Sequence, residues 1–452
     1  MSLIQTNENP GLHVVNTFYQ ELIMKRRPLT KFLHIAVTSL MVLYLSQIAS
    51  GYSVLTHQSI IDSSWDNSIK PLLLKRFPQA TADQLREAHA YAYGGAIIQD
   101  MGYYPFGSKF FTDLAHYVRS GDFLEVLIDE AQDLNEYAFA IGALAHYAAD
   151  NNGHSIAVNR AVPILYPKLR VRYGDKVTYV EDPTAHIRTE FGFDVVQMAR
   201  GRYASEAYRD FIGFKVSKPV LERAFKKTYG LEIKDVFTNI DLALGTYRRA
   251  VSTVIPEMTK VAWETKKDEI EKNNPGITRE KFLYRVSRAE YEKDYGNQYE
   301  KPGALAKTLA FLVRILPRVG PLKTLSFKPP TPEAERMYLE SVNASLELYR
   351  TLLGRVDAGR LDLQNKDFDT GESTRAGEYK LADETYAKLV TKLADKQFEN
   401  VTADLRQNIL SFFGDLNAPV FAKRDKGDWR RTLSALEKLK AAPTQATKEP
   451  AK

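Results

Sequence analysis

Two pairs of residues in this sequence combine an imidazole and a carboxylate four positions apart: His146-Tyr-Ala-Ala-Asp150 and His186-Ile-Arg-Thr-Glu190. On a helix, residues i and i+4 share one face one turn apart, so each pair can reach a single ion. His154 follows Asp150 by another four residues. Asn151-Asn152-Gly153 predicts a left-handed helix stop between them, with a loop folding His154 back. Upstream stand Asp100, in Gln99-Asp100-Met101-Gly102-Tyr103-Tyr104-Pro105, and His116, in Asp113-Leu114-Ala115-His116-Tyr117. His57 comes earlier still. The chain has no cysteine, which excludes disulfides, thiolate metal sites and cysteine nucleophiles. Imidazole and carboxylate are the zinc ligands that remain. One such pair alone is more often a capped or ion-paired helix turn; the ordered series of five histidines and three carboxylates is what points to a metal centre.

In that order the series resembles the zinc-dependent phospholipase C family of bacteria, which is related to the fungal three-zinc single-strand nucleases. The resemblance runs from about Tyr52 to Glu190 and is specific in ligand order and in the two i, i+4 pairs. It implies an all-helical fold and up to three zinc ions. By the resemblance, Asp100, His116, His146 and Asp150 hold one ion. The amine and carbonyl of Tyr52, together with His57 and a bridging Asp150, hold a second; His154, His186 and Glu190 hold the third. It also implies hydrolysis of phosphate esters by metal-activated water, with Asp100 either assisting as general base or serving only as a ligand. Two departures stand out. Tyr52 occupies the place where the family usually has Trp as the mature first residue, which leaves Gly51 as an alternative start, and the gap from His146 to His154 is short for the family.

The elements that must position these residues read as helices throughout, an all-α chain. Apolar residues recur at helical spacing in Phe123-Leu124-Val126-Leu127-Ile128-Ala131-Leu134, and residues 135–150 are Ala-rich and strongly helical. Lys176–Val180 is a short strand candidate. Helical patterns resume over Pro332–Leu353 and Leu381–Phe413. The expected organisation is an N-terminal extension and signal peptide over 1–51, with Met24 as the expected start, and a catalytic domain over 52–255. A helical region of unassigned role over 256–440 and a disordered tail over 441–452 complete it.

The leader rests on Met24-Lys25-Arg26-Arg27, the apolar run Phe32–Leu45 and the small residues Ala49-Ser50-Gly51, a pattern that predicts export to the periplasm or the outside of the cell. The 452 residues, 44% of them apolar and 26% charged, suffice for more than one core. The net charge of +6 suits an anionic partner without choosing one. The basic amphipathic stretch 303–328 suits either peripheral membrane contact or a packed helix with solvated lysines. Tyr103, Tyr104 and Phe106 read as core aromatics, with a headgroup or base wall as the alternative, and His89 reads as a helix-surface or core histidine. Asp367-Phe368-Asp369-Thr370-Gly371 reads as a structural turn, because the twelve-position calcium pattern is missing. The leading function is phospholipase C-type hydrolysis. A single-strand nuclease and a non-catalytic zinc-holding protein are the alternatives.

Overall fold

The computed structural model of the chain describes residues 54–199, 213–273, 275–283 and 327–443. The expected leader, Tyr52, all of 303–326 and the tail beyond 443 lie outside the described residues. Within them the fold is all-α. The described residues hold no β-strand, only an isolated antiparallel bridge between Lys366 and Ser373. Lys176–Val180 is not a strand: it is loop leading into a turn, tied at one point where Val177 N–H donates to the Asn159 carbonyl (2.9 Å). A strand there would have no partner.

The organising element is the helix Leu134–Asn152, N-capped by Asp133. Every residue from Glu136 to Asn151 is buried, as a helix apolar on all faces requires. Helices Ala82–Gly95 and Pro332–Asp357 pack against it. The first contact is very close: a Cβ on Gly95 would lie 1.9 Å from the Phe139 carbonyl oxygen, and one on Gly142 2.0 Å from that of Ala92. Glycine at both positions lets the two backbones approach, which brings the turn after Gly95 within reach of His146. One continuous apolar core joins residues on both sides of position 256, from Leu55 to Leu439. That position itself falls inside the helix Ile240–Asn273.

The expected left-handed stop at Gly153 does not occur. Gly153 has φ −59°, and the chain continues through a π turn, Gly153–Val158, into the helix Asn159–Leu165. The side-chain amides of Asn151 and Asn152 bond back to the carbonyls of Tyr147 and Ala148 (2.7 and 2.9 Å) instead of breaking the helix. The buried setting of this segment overrides the local stop signal. His154 is therefore carried by helical backbone and not by a folded-back loop, and inserted π turns are frequent at functional sites.

Candidate metal centre

Three separate segments converge on the central helix. His146 and Asp150 come from that helix. Asp100 sits in the short 3-10 helix Ile98–Tyr103. That helix is held on one side by Gln99, whose amide donates to the Ala143 carbonyl (3.1 Å), and on the other by Thr112, whose hydroxyl donates to the Gln99 carbonyl (2.5 Å) and accepts from Gly102 N–H. His116 lies in the last turn of the helix Lys109–Tyr117. His57 is in the first described helix, Val54–Ser64. The start of that helix is fastened by Asp194, whose carboxylate accepts from the N–H groups of Leu55 and Thr56 (3.0 and 3.1 Å).

The first group is Asp100, His116, His146 and Asp150, one ligand atom from each lying within 4.8 Å of the rest. Asp150 Oδ2 is 3.0 Å from His146 Nε2 and 3.4 Å from His116 Nε2; Asp100 Oδ1 is 3.3 Å from His116 Nε2. Neighbouring ligand atoms around a tetrahedral zinc, with bonds of about 2.0–2.1 Å, are about 3.3 Å apart. Both rings are oriented for such a role. His116 Nδ1 donates to the Thr112 carbonyl and His146 Nδ1 to the Ala96 carbonyl, each at 2.9 Å. This sets the tautomer and turns each Nε2 toward the carboxylates. The other oxygen of Asp150 faces His57 Nε2 at 3.4 Å and His154 Nε2 at 3.8 Å, so the two oxygens of Asp150 point at different sets of imidazoles.

The second group is His154, His186 and Glu190, again within 4.8 Å. His186 and Glu190 lie on the helix Pro183–Ala199, with His186 Nδ1 2.8 Å from Glu190 Oε1. His186 Nε2 meets the Asn159 side-chain oxygen at 3.0 Å, and the rings of His154 and His186 stack with centroids 5.0 Å apart. Every one of these ligand-type side chains is at most 2% exposed.

Such burial demands compensation. No hydrogen bond reaches Asp100 Oδ1, either oxygen of Asp150 or either oxygen of Glu190, and buried carboxylate oxygens left so are costly. Electrostatics in the metal-free protein reflect this. Burial disfavours the charged His116 ring, yet the adjoining Asp100 and Asp150 carboxylates prevail and raise its pKa to about 10. Burial likewise opposes charge on His146, which Asp150 and Asp100 raise. Burial opposes the Asp150 carboxylate, but His146 and His116 hold it well below the usual range. Burial lowers His57 to about 4, and burial with His154 drives His186 well down. Burial, reinforced by Asp150, pushes Glu190 well up. A cation between these groups would replace the proton held by His116 at neutral pH. The donor set therefore fits zinc: nitrogen and carboxylate oxygen at tetrahedral spacing, second nitrogens fixed, and uncompensated buried oxygens.

A measurable result follows. Zinc binding at pH 7 is expected to expel at least one proton, that of His116, and its affinity should rise with pH through the neutral range. Titration calorimetry in buffers of different ionisation enthalpy reads this directly. A binding enthalpy independent of the buffer would contradict the arrangement. In the metal-free fold His116 makes its full contribution to stability below its unfolded value near 6.5 and loses it as pH rises through about 10.

An all-helical fold with two buried, adjoining groups of imidazole and carboxylate that could each hold a metal ion suits a metal-dependent hydrolase. Residues 56–239 match the model of the zinc-dependent phospholipase C family. The resemblance read from the ligand order is thereby borne out for that part of the chain, and it supports phospholipase C-type, zinc-dependent phosphodiester hydrolysis as the class of activity. No curated protein and no solved structure matches the chain.

The described residues thus bring together His57, Asp100, His116, His146, Asp150, His154, His186 and Glu190; Tyr52 lies outside them. His89 is a buried histidine, 2.9 Å from Asp62 and stacked on Trp65. Tyr103 packs edge-on against His116 and lies beside Tyr179, which meets His186 edge-on. Tyr104 stacks on Tyr247. Three residues next to the ligands escaped the sequence reading. Asp194 carried a signal, standing four residues after Glu190 on the same helix face. Asn159 carried none. Asp369 belonged to a turn read as purely structural, but it faces His154, with 3.8 Å between Asp369 Oδ1 and His154 Nδ1.

Proposed function

We propose that this chain is an exported phospholipase C-type hydrolase that cleaves the phosphodiester of phospholipids at a centre of up to three zinc ions. The observation that carries the reading is the position of Asp150. Its Oδ2 lies 3.0 Å from His146 and 3.4 Å from His116, while its Oδ1 lies 3.4 Å from His57. A carboxylate shared between histidine sets suits a site holding adjacent ions, and a structural site has no need of one. Zinc, when bound, supplies Lewis acidity toward the phosphoryl group and acidifies water toward neutral pH.

The chain's own groups have distinct parts to play. His116 and His146, with Nδ1 hydrogen-bonded to backbone carbonyls, present Nε2 in a fixed direction. Asp100, beside His116, is placed to hold the proton of attacking water or to act purely as a ligand. Glu190 and His186, with His154, would hold an ion able to stabilise a leaving oxygen. Export rests on the basic and apolar segments before Gly51. No helix among the described residues is long and apolar enough to cross a membrane.

The deciding experiment offers the zinc-loaded mature protein phosphatidylcholine, other phospholipids, single-stranded DNA and RNA side by side. Release of a phosphorylated headgroup, abolished by chelator and restored by zinc, is the expected result. Cleavage of DNA or RNA with intact phospholipid would establish the nuclease alternative. Retained zinc with no turnover on any of these would establish the binding-protein alternative.

A further inference from the structure

We infer that the segment around Asp367–Gly371, far outside the matched region, completes the metal centre, and that Asp369 is the positioning residue of the second group, its carboxylate facing His154 and its backbone carbonyl acting on His186 through Asn159. The inference rests on the metal-centre reading above and deepens it.

Asp369 is 2% exposed and makes contacts through three separate atoms. Its side chain faces His154, Oδ1 lying 3.8 Å from Nδ1. Its other carboxylate oxygen, Oδ2, accepts hydrogen bonds from the hydroxyls of Tyr117 (2.9 Å) and Tyr379. With Oδ2 clamped by two donors, Oδ1 is aimed at the imidazole. The backbone carbonyl of Asp369 accepts from the Asn159 side-chain amide at 2.6 Å. That bond fixes which end of Asn159 is oxygen, and the oxygen meets His186 Nε2 at 3.0 Å. His186 thus donates Nε2–H to Asn159 and turns Nδ1 toward Glu190. A single residue therefore faces the ring of His154 directly and is linked to that of His186 through Asn159. Metal-binding histidines are commonly oriented in this way, by a carboxylate or carbonyl on the nitrogen that does not bind the ion.

The turn is built to stay in place. Asp369 N–H donates to the Asp367 carboxylate (2.9 Å), and Phe368 N–H reaches the His116 carbonyl (3.3 Å). The Phe368 ring packs against both His116 and His146. Gly371 has φ +75°, and a Cβ there would lie 2.7 Å from the Asn151 carbonyl oxygen, so the turn seats directly on the helix end that leads to His154. The C-terminal part of the chain touches both groups of ligands.

The test compares Asp369→Asn with wild type in full-length mature protein. The readouts are zinc content, zinc affinity by chelator competition and the visible spectrum of the cobalt-substituted form. Loss of an orienting partner of a metal ligand costs about 10–100-fold in affinity or activity. The expected result is that one class of zinc weakens by that factor while the other is retained, that the cobalt spectrum changes, and that kcat falls more than KM. Tyr379→Phe keeps the carboxylate and removes one hydroxyl that aims it; it should weaken the same ion several-fold, and it decides the matter if Asp369→Asn does not fold. Wild-type zinc affinity and cobalt spectrum in the folded variants would overturn the inference while leaving the metal-centre reading intact. A wild-type protein that binds no zinc would instead overturn the metal-centre reading itself.

Discussion

Asp150→Asn is expected to abolish turnover, with kcat/KM falling at least ~10³-fold, or about 4 kcal/mol of transition-state stabilisation. No other ligand substitution should cost as much. Asp150 lies at the crossing of four imidazoles, those of His57, His116, His146 and His154, all between 3.0 and 3.8 Å away. An asparagine keeps the size and one acceptor oxygen but loses the charge that balances the centre. It also presents N–H where a lone pair is required. The variant should retain its helical content, because the side chain contributes no cap and no helix hydrogen bond, yet bind less zinc. Steady-state rates and zinc content per molecule, measured together, settle the point. A variant with full zinc and near wild-type rate would show that Asp150 does not bridge the two sets of histidines.

Removal of the segment before Tyr52 should have the next largest effect. His57 faces Asp150 at 3.4 Å and stacks on the His146 ring, centroids 4.4 Å apart. The segment before His57 is anchored, because Asp194 holds the N–H groups of Leu55 and Thr56. Tyr52 precedes Leu55 by three residues, a reach of at most about 10 Å of extended chain. The resemblance implies a ligand in that place. A free α-amino group has a pKa near 8 and yields its proton to a metal at neutral pH, whereas the amide nitrogen of an unprocessed chain does not. The chain beginning at Tyr52 is therefore expected to carry one zinc more than the chain retaining residues 1–50, and to turn over faster by a factor on the order of 10². Adding a single Met or Ala ahead of Tyr52 should reverse the gain. Equal zinc and equal rates in all three forms would remove the terminus from the mechanism. Export would then have no part in activating the enzyme.

The all-helical character and the types of residue in the centre were legible in the sequence. Helical periodicity is a local property, and so is the i, i+4 spacing that sets His146 with Asp150 and His186 with Glu190. Periodicity placed the central helix within two residues of its observed limits, Leu134 and Asn152. Local signals failed where burial outweighed them. Asn151-Asn152-Gly153 reads as a stop for a helix ending in water, but here the asparagine amides satisfy the helix's own carbonyls and a π turn carries the chain onward.

What only the tertiary structure decided lies at long separation along the chain. Asp194 fastens residues 139 and 138 positions away. Asp369 reaches Asn159 across 210 positions and Tyr117 across 252. Such pairs leave no periodic trace, since nothing in a turn such as Asp367-Phe-Asp-Thr-Gly371 indicates which distant helix it will seat against. The sequence by itself determined which side chains have the donor types that zinc takes and, in the two i, i+4 pairs, which of them share a helix face. The fold decided how they are aimed, because the carbonyls of Ala96, Thr112 and Asp369 that orient the rings, directly or through Asn159, are backbone groups present at every residue and meaningful only once the chain has packed.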